Sequence, residues 1–536
     1  MFNKRKIFSV ILLFSSHVMA QVSPLHGIGI DIGDRVDYST QNSINDLSFS
    51  KYNSNKIISL FTELHTLGFS IFRTYDDFTG FYDVKDYSDF NPNQCDVYTD
   101  ANQPAFARLC AVSTAIKTDP SNKIMLGISV PLLTKFYGKD GEANAESYFK
   151  KVLPLFSKQI IGIGVGNEIS RYYGDWAPSS SGHDGWLVLS HYEEISNNII
   201  KALGKYYQDI KSSSKNYPVG LYKNQYNRIF LSTSLGIKSA GNSSTYLINA
   251  QPFSEKSYGL GGIWGVNSKG NIDDNSGFGQ LAHEYGDTRF NNYGGTVTSL
   301  IPGIQAIIQY DQEFVDKNLG LTRPPLFVNY YPHYFGNWWP GDPNSAQPNP
   351  FNAWYGYRQI YGNDKQFFTG GSITQFMDAY ICYGQYKCDV DVGETGYPTL
   401  WVQNRADVYN QPGTKAKLFP SANINSLAMY MKYYTNASHW HNSDGSQAAI
   451  PFTFWFEGQD EVSKFPLVVD NTSSDDQMHL GLITLMSGSS NPDQYWEQNP
   501  ISPGLYGPVK ANQVKLPKVP ELLFGHNMSP DNNAST

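Results

Sequence analysis

Val390-Asp391-Val392-Gly393-Glu394-Thr395-Gly396-Tyr397-Pro398 is an apolar β run that ends in a carboxylate and then meets a Gly/Pro turn. A second run of the same kind lies far upstream, Ile160-Ile161-Gly162-Ile163-Gly164-Val165-Gly166-Asn167-Glu168. Two glutamates at the C-terminal ends of two strands suit a double-displacement reaction at a glycosidic bond. That chemistry needs one acid/base and one nucleophile, with the carboxyl groups about 5–5.5 Å apart. A closed barrel of parallel strands brings side chains from distant sequence positions to one rim.

Working outward from these two runs, strands and helices alternate along most of the chain. Residues 27–33, 69–75, 123–130, 160–165, 228–235, 326–331, 389–394 and 450–456 read as strands, the third closed by Pro131. Helical spacing of apolar residues marks 55–67, stopped by Gly68, and then 105–116, 142–156, 189–210, 304–319 and 425–434. A long loop, 77–103, follows the second strand. Residues 236–295 break the rhythm with a Gly-, Asn- and Ser-rich segment, read as an insertion that shapes a cleft wall. The pattern predicts an α/β fold, a TIM (β/α)8 barrel, with a long insertion between strands five and six. An open doubly wound sheet is the alternative, but no glycine-rich phosphate turn opens a helix after an early strand. The expected organisation is a leader over 1–20, one catalytic domain over 21–500 and an extended Pro-rich tail over 501–536.

The chain of 536 residues is 40% hydrophobic and 16% charged, a balance that folds rather than stays disordered. A net charge of −8 offers no basic surface for nucleic acid or an anionic membrane. Aromatic residues make up 15%, which serves sugar-binding faces and ordinary cores alike. Lys4, Arg5 and Lys6, the apolar run 7–14 and Val18-Met19-Ala20 form a secretory leader cleaved near Ala20, so a secreted monomer is expected. In an oxidising compartment Cys95, Cys110, Cys382 and Cys388 can pair. Proximity favours Cys95–Cys110 and Cys382–Cys388 among three connectivities, and a zinc site is disfavoured without a Cys-x-x-Cys pair.

In the chemistry these residues suit, Glu394 is the nucleophile and Glu168 the acid/base, with Asn167 placed to bond a sugar 2-hydroxyl. Arg73 and Tyr75 brace the carboxylates or bond sugar hydroxyls, Tyr331 orients Glu394, and Trp338 and Trp339 offer stacking faces. Glu457, Asp460, Glu461 and Lys464 form a polar cleft wall past the eighth strand. No metal or organic cofactor is called for, because the two carboxylates supply acid, base and nucleophile.

The sequence resembles glycoside hydrolase family 17, endo-β-1,3-glucanases and β-1,3-glucanosyltransferases, in its microbial form. The resemblance rests on Val165-Gly166-Asn167-Glu168 and Glu394-Thr395-Gly396-Tyr397-Pro398. It is extended by Phe72-Arg73-Thr74-Tyr75, Met125-Leu126-Gly127-Ile128, Val328-Asn329-Tyr330-Tyr331-Pro332-His333-Tyr334-Phe335, Phe456-Glu457-Gly458-Gln459-Asp460-Glu461 with Lys464, and His479-Leu480-Gly481-Leu482. Gly458, Gln459, Val462, Ser463 and Leu480 depart from that pattern. The resemblance implies a retaining barrel enzyme that cleaves or transfers β-1,3-glucan. An inactive glycan-binding barrel and a related enzyme for another polysaccharide are the other readings.

Overall fold

The structure is a computed structural model. It describes residues 28–32, 54–156, 159–167, 185, 187–188, 191–212, 229–232, 234–236, 300–311, 325–329, 389–399, 402–403, 417–418, 424–435, 450, 452–460 and 480–483. The leader, residues 237–295 of the insertion, the tail, Cys382, Cys388, Glu168, Tyr331, Trp338, Trp339, Glu461 and Lys464 lie outside the described residues.

The chain builds β1 (Ile28–Asp31), β2 (Ile71–Arg73), β3 (Lys123–Gly127), β4 (Ile160–Gly164), β5 (Phe230–Ser232), β6 (Ser234–Gly236), β7 (Pro325–Asn329), β8 (Asp389–Thr395), β9 (Val402–Gln403), β10 (Lys417–Leu418) and β11 (Thr453–Trp455). All except the β9–β10 hairpin join one parallel sheet in the order β5-β4-β3-β2-β1-β11-β8-β7-β6. The two ends of that order, β5 and β6, are separated by residue 233 alone, so they act as one stave shared between β4 and β7. The sheet is therefore an eight-staved βα barrel, as the alternation of elements predicted.

Helices α1 (Ser54–Thr66), α2 (Pro104–Lys117), α3 (Gly141–Phe156), α4 (Tyr192–Ser212) and α5 (Leu300–Asp311) follow the first five staves in turn, and α6 (Ile424–Tyr434) lies between β8 and β11. Their apolar stripes pack on the outward strand residues. Phe61 of α1 meets Phe72 of β2 with ring centroids 5.0 Å apart, and α6 sets Tyr430 and Tyr434 against Trp455. Inside the barrel a separate apolar layer holds Ile71, Met125, Phe230, Phe327, Phe452 and Phe454. Glycines make room for it: a Cβ on Gly29 would lie 2.7 Å from the Phe454 ring, and one on Gly162 2.5 Å from the Phe230 ring.

Strand limits differ from the sequence reading by a few residues. Apolar run length overstated most of them, because a strand ends where its pairing ends, while β8 runs one residue further, to Thr395. Pro131, expected to close a strand, lies in the helical turn Val130–Leu133, where proline is compatible with a first turn. The fifth strand is two short pieces, and Leu231 of β5 donates its N–H to Oδ1 of buried Asp311 at the end of α5, at 3.0 Å.

Cys95 and Cys110 form the expected disulfide, tying the loop after β2 to α2. Buried Asp77 takes hydrogen bonds from Thr79, Tyr87 and Tyr148, and Arg108 donates to the carbonyls of Phe78 and Thr79. These contacts fix the same loop, which begins at Tyr75 on the barrel rim.

Candidate active site

Side chains alternate across a strand, so Arg73 points the same way as Ile71, into the barrel and one layer higher. Its guanidinium sits 5.8 Å above the Phe454 ring and 5.1 Å from the Tyr75 ring. Arg73 is 2% exposed and acts as a hub. Nη1 donates to the Gly393 carbonyl at 2.6 Å and reaches Oδ1 of Asp31 at 3.4 Å, and Nη2 donates to Oδ1 of Asn167 at 2.8 Å.

Glu394 enters this group because β8 carries a bulge. Between Val392 and Glu394 the strand advances two residues while β7 advances one, from Val328 to Asn329. Toward β11, three steps on β8 match two on β11. Val392 packs in the outer core between strands and helices. Strict alternation would send Glu394 to that same side, and the extra residue turns it inward, the re-aiming that bulges perform next to active sites.

Glu394 is 3% exposed. Its Oε1 accepts from the Tyr75 hydroxyl at 2.7 Å and from Nδ2 of Asn167 at 2.9 Å, and Nη1 of Arg73 stands 3.7 Å away. Asn167 is held in turn by Arg73 and by Nδ2 of Asn329, which donates to its Oδ1 at 3.0 Å. Gly166 precedes it with φ 81°, a left-handed conformation in which a β-carbon is disfavoured. Tyr192 of α4 donates to the Val165 carbonyl at 2.7 Å, pinning the turn from behind.

Electrostatics follow from burial. The Tyr75 phenol is raised well above its usual range, chiefly by burial and then by the negative charges of Asp31 and Glu394. It therefore stays a neutral donor toward Glu394. The Asp31 carboxyl is also raised well above the ordinary carboxylate range, first by burial; Arg73 opposes the shift and Glu394 adds to it.

Beyond β11 the peptide between Phe456 and Glu457 is cis, and the Glu457 side chain is 0% exposed. The segment is clasped by residues 480–483: Leu482 N–H donates to the Glu457 carbonyl and Ile483 N–H to that of Gly458. Asp460 takes part in the clasp, its Oδ1 accepting from Gly481 N–H at 3.1 Å.

Of the residues read from sequence, Arg73, Tyr75, Asn167 and Glu394 converge in one hydrogen-bonded cluster. The contacts place Arg73, Tyr75 and Asn167 on the carboxylate itself. Glu457 ends the strand two places along the barrel from β2, next to β1, and Asp460 lies in the adjoining clasp. Asp31 and Asn329 were not singled out from sequence. For Asp31 the one signal was position, as the last polar residue of a barrel strand; Asn329 shares that position and also stands in the quoted Val328–Phe335 segment, without a role given to it there. Among the described residues, no cluster of His, Cys, Asp and Glu could hold a metal ion.

No protein-family model matches the chain, and neither does any curated protein sequence. Solved structures do align with it. One is reported under the three-dimensional structures of two plant beta-glucan endohydrolases with distinct substrate specificities, at 14% identity and TM-score 0.38, covering 85% of this chain and 96% of that one. The glycoside hydrolase family 17 β-1,3-glucanosyltransferase of Rhizomucor miehei aligns at 11% identity and TM-score 0.33, over 85% and 92% of the two chains. A β-glucosidase from Thermotoga maritima aligns at 10% identity and TM-score 0.40, over 89% and 93%.

Proposed function

We propose that this chain is a secreted, retaining glycosidase of the kind that resembles glycoside hydrolase family 17, acting on β-1,3-glucan by double displacement. The observation that carries the reading is the grip on Glu394: a buried carboxylate at the barrel rim whose Oε1 takes hydrogen bonds from Tyr75 and Asn167 beside the Arg73 guanidinium. Donors arranged in advance around one oxygen orient the carboxylate, and a nucleophile needs that orientation. Glu168 follows Asn167 directly in the chain, which makes it the partner of choice for the proton transfers.

In the first step Glu394 attacks the anomeric carbon as the bond to the leaving oxygen breaks, and that oxygen takes the proton of Glu168. The ester on Glu394 is then opened by a water or a sugar hydroxyl, whose proton passes to Glu168, restoring both groups with the β configuration kept. Secretion is supported by the basic and apolar leader and by the Cys95–Cys110 disulfide.

The test is incubation of the purified protein with linear β-1,3-glucan and analysis of product length. Shorter oligosaccharides mean hydrolysis and longer ones transfer. Retention of the polymer without any product would favour a glycan-binding barrel, and turnover of another polysaccharide alone would move the substrate.

A further inference from the structure

Asp31 is a fully buried carboxyl at the end of β1 that nothing in the reaction above uses. Its Oδ1 has the long 3.4 Å approach to Nη1 of Arg73, the Tyr75 hydroxyl also bears on the carboxyl, and its Oδ2 has no hydrogen-bond partner among the described residues. The same Nη1 makes its short bond to the Gly393 carbonyl, and Nη2 is given to Asn167. Tyr75 has one hydroxyl proton, and the geometry directs it to Glu394. An ionised carboxyl so poorly served would be costly to bury, whereas a neutral one is tolerated.

The groups around it are few. Arg73 from β2 and Tyr75 just past that strand face Asp31, and from β8 Glu394 bears on it through charge. On the β11 side the Gly458 N–H donates to the Asp31 backbone carbonyl, and buried Glu457 stands at that strand end. Arg73 is the one cation in ion-pair reach of both Asp31 and Glu394 among the described residues. We propose that Asp31 is a positioning residue that stays in its acid form while Glu394 is ionised, so that the Arg73 charge is directed to Glu394. Ionising Asp31 would draw the guanidinium toward β1 and loosen the grip on Glu394. The inference rests on Glu394 being the working carboxylate of this site. The burial of Asp31 and the raised position of its proton equilibrium accord with it.

Infrared difference spectra test it directly. Wild type minus the near-isosteric Asp31→Asn should show a protonated-carboxyl stretch at neutral pH that disappears on alkaline titration. The same pair made in a Glu394→Gln background should lose the band at lower pH, by about one unit, a tenfold change in proton affinity. No such band, or an unchanged midpoint in the Glu394→Gln background, overturns the proposal. With β-1,3-glucan as substrate, the rate of Asp31→Asn divided by that of wild type should climb with pH across the wild-type alkaline limb, at least about threefold. A flat ratio also overturns it. Absence of turnover in the wild type would sink the glucanase reading, while the infrared arm still decides where the proton of Asp31 resides.

Discussion

Tyr75 and Glu394, separated by 319 positions in the chain, meet in a 2.7 Å hydrogen bond at the barrel rim. The phenol is kept protonated chiefly by its own burial and also by the charge of Glu394, so toward that carboxylate it donates. Tyr75→Phe should leave the fold intact and lower kcat. A hydrogen bond to a charged group contributes about 1.5–3 kcal/mol, or roughly ten- to a hundredfold in rate. Steady-state kinetics on β-1,3-glucan are the measurement; a change confined to KM would place Tyr75 on the substrate alone.

Glu394→Ala should abolish turnover. Glu168→Ala should cripple glucan cleavage yet spare the first step on a substrate whose leaving group needs no proton. Added azide should then raise the rate of that variant and yield a β-glycosyl azide. An α-configured azide, or wild-type rates from Glu394→Ala, would remove the double-displacement assignment.

Asp311 gives a stability test away from the site. Burial holds its carboxyl well above the ordinary range, and the hydrogen bond from Leu231 N–H only partly offsets this. The folded state thus binds the proton more tightly than the unfolded chain, whose value is about 3.9. The contribution is fully present below that value and is lost as pH rises through the folded one. Asp311→Asn cannot ionise, so its stability relative to wild type should climb with pH and then level off. Urea unfolding at a series of pH values measures it, and a pH-independent difference would contradict it.

The Cys95–Cys110 disulfide closes a separation of 15 residues. Replacing both cysteines by Ala should cost about 3 kcal/mol, if chain entropy of the unfolded state dominates. Thermal unfolding reads the loss. Mass mapping of unreduced peptides checks this bond and the further expectation that Cys382 pairs with Cys388.

How far the sequence led depends on what each residue's signal was. Glu394 and Asn167 could be read because each closes an apolar run, and Arg73 and Tyr75 because they stand where the second strand meets the rim. The inward turn of Glu394 could not be read: it depends on a bulge, visible only once the registers of β7 and β11 against β8 are known. Asp31 was missed because nothing within the strand read over 27–33 tells an inward, buried acid from an outward, solvated one, and only the neighbouring strands reveal its burial. Gly127 is similar. Its lack of a side chain is explained by the Tyr75 backbone, which would lie 2.3 Å from a β-carbon there.

The bonds of Arg73 have a consequence for dissecting the molecule. They reach 42 residues back to Asp31, 94 forward to Asn167 and 320 forward to Gly393. A truncated chain that stops short of β8 can therefore offer Arg73 and Asn167 to one another but has nothing for them to aim. Two separately expressed halves, cut between β4 and β7, would each be inert, and activity regained on mixing them would report that the ring of strands had closed.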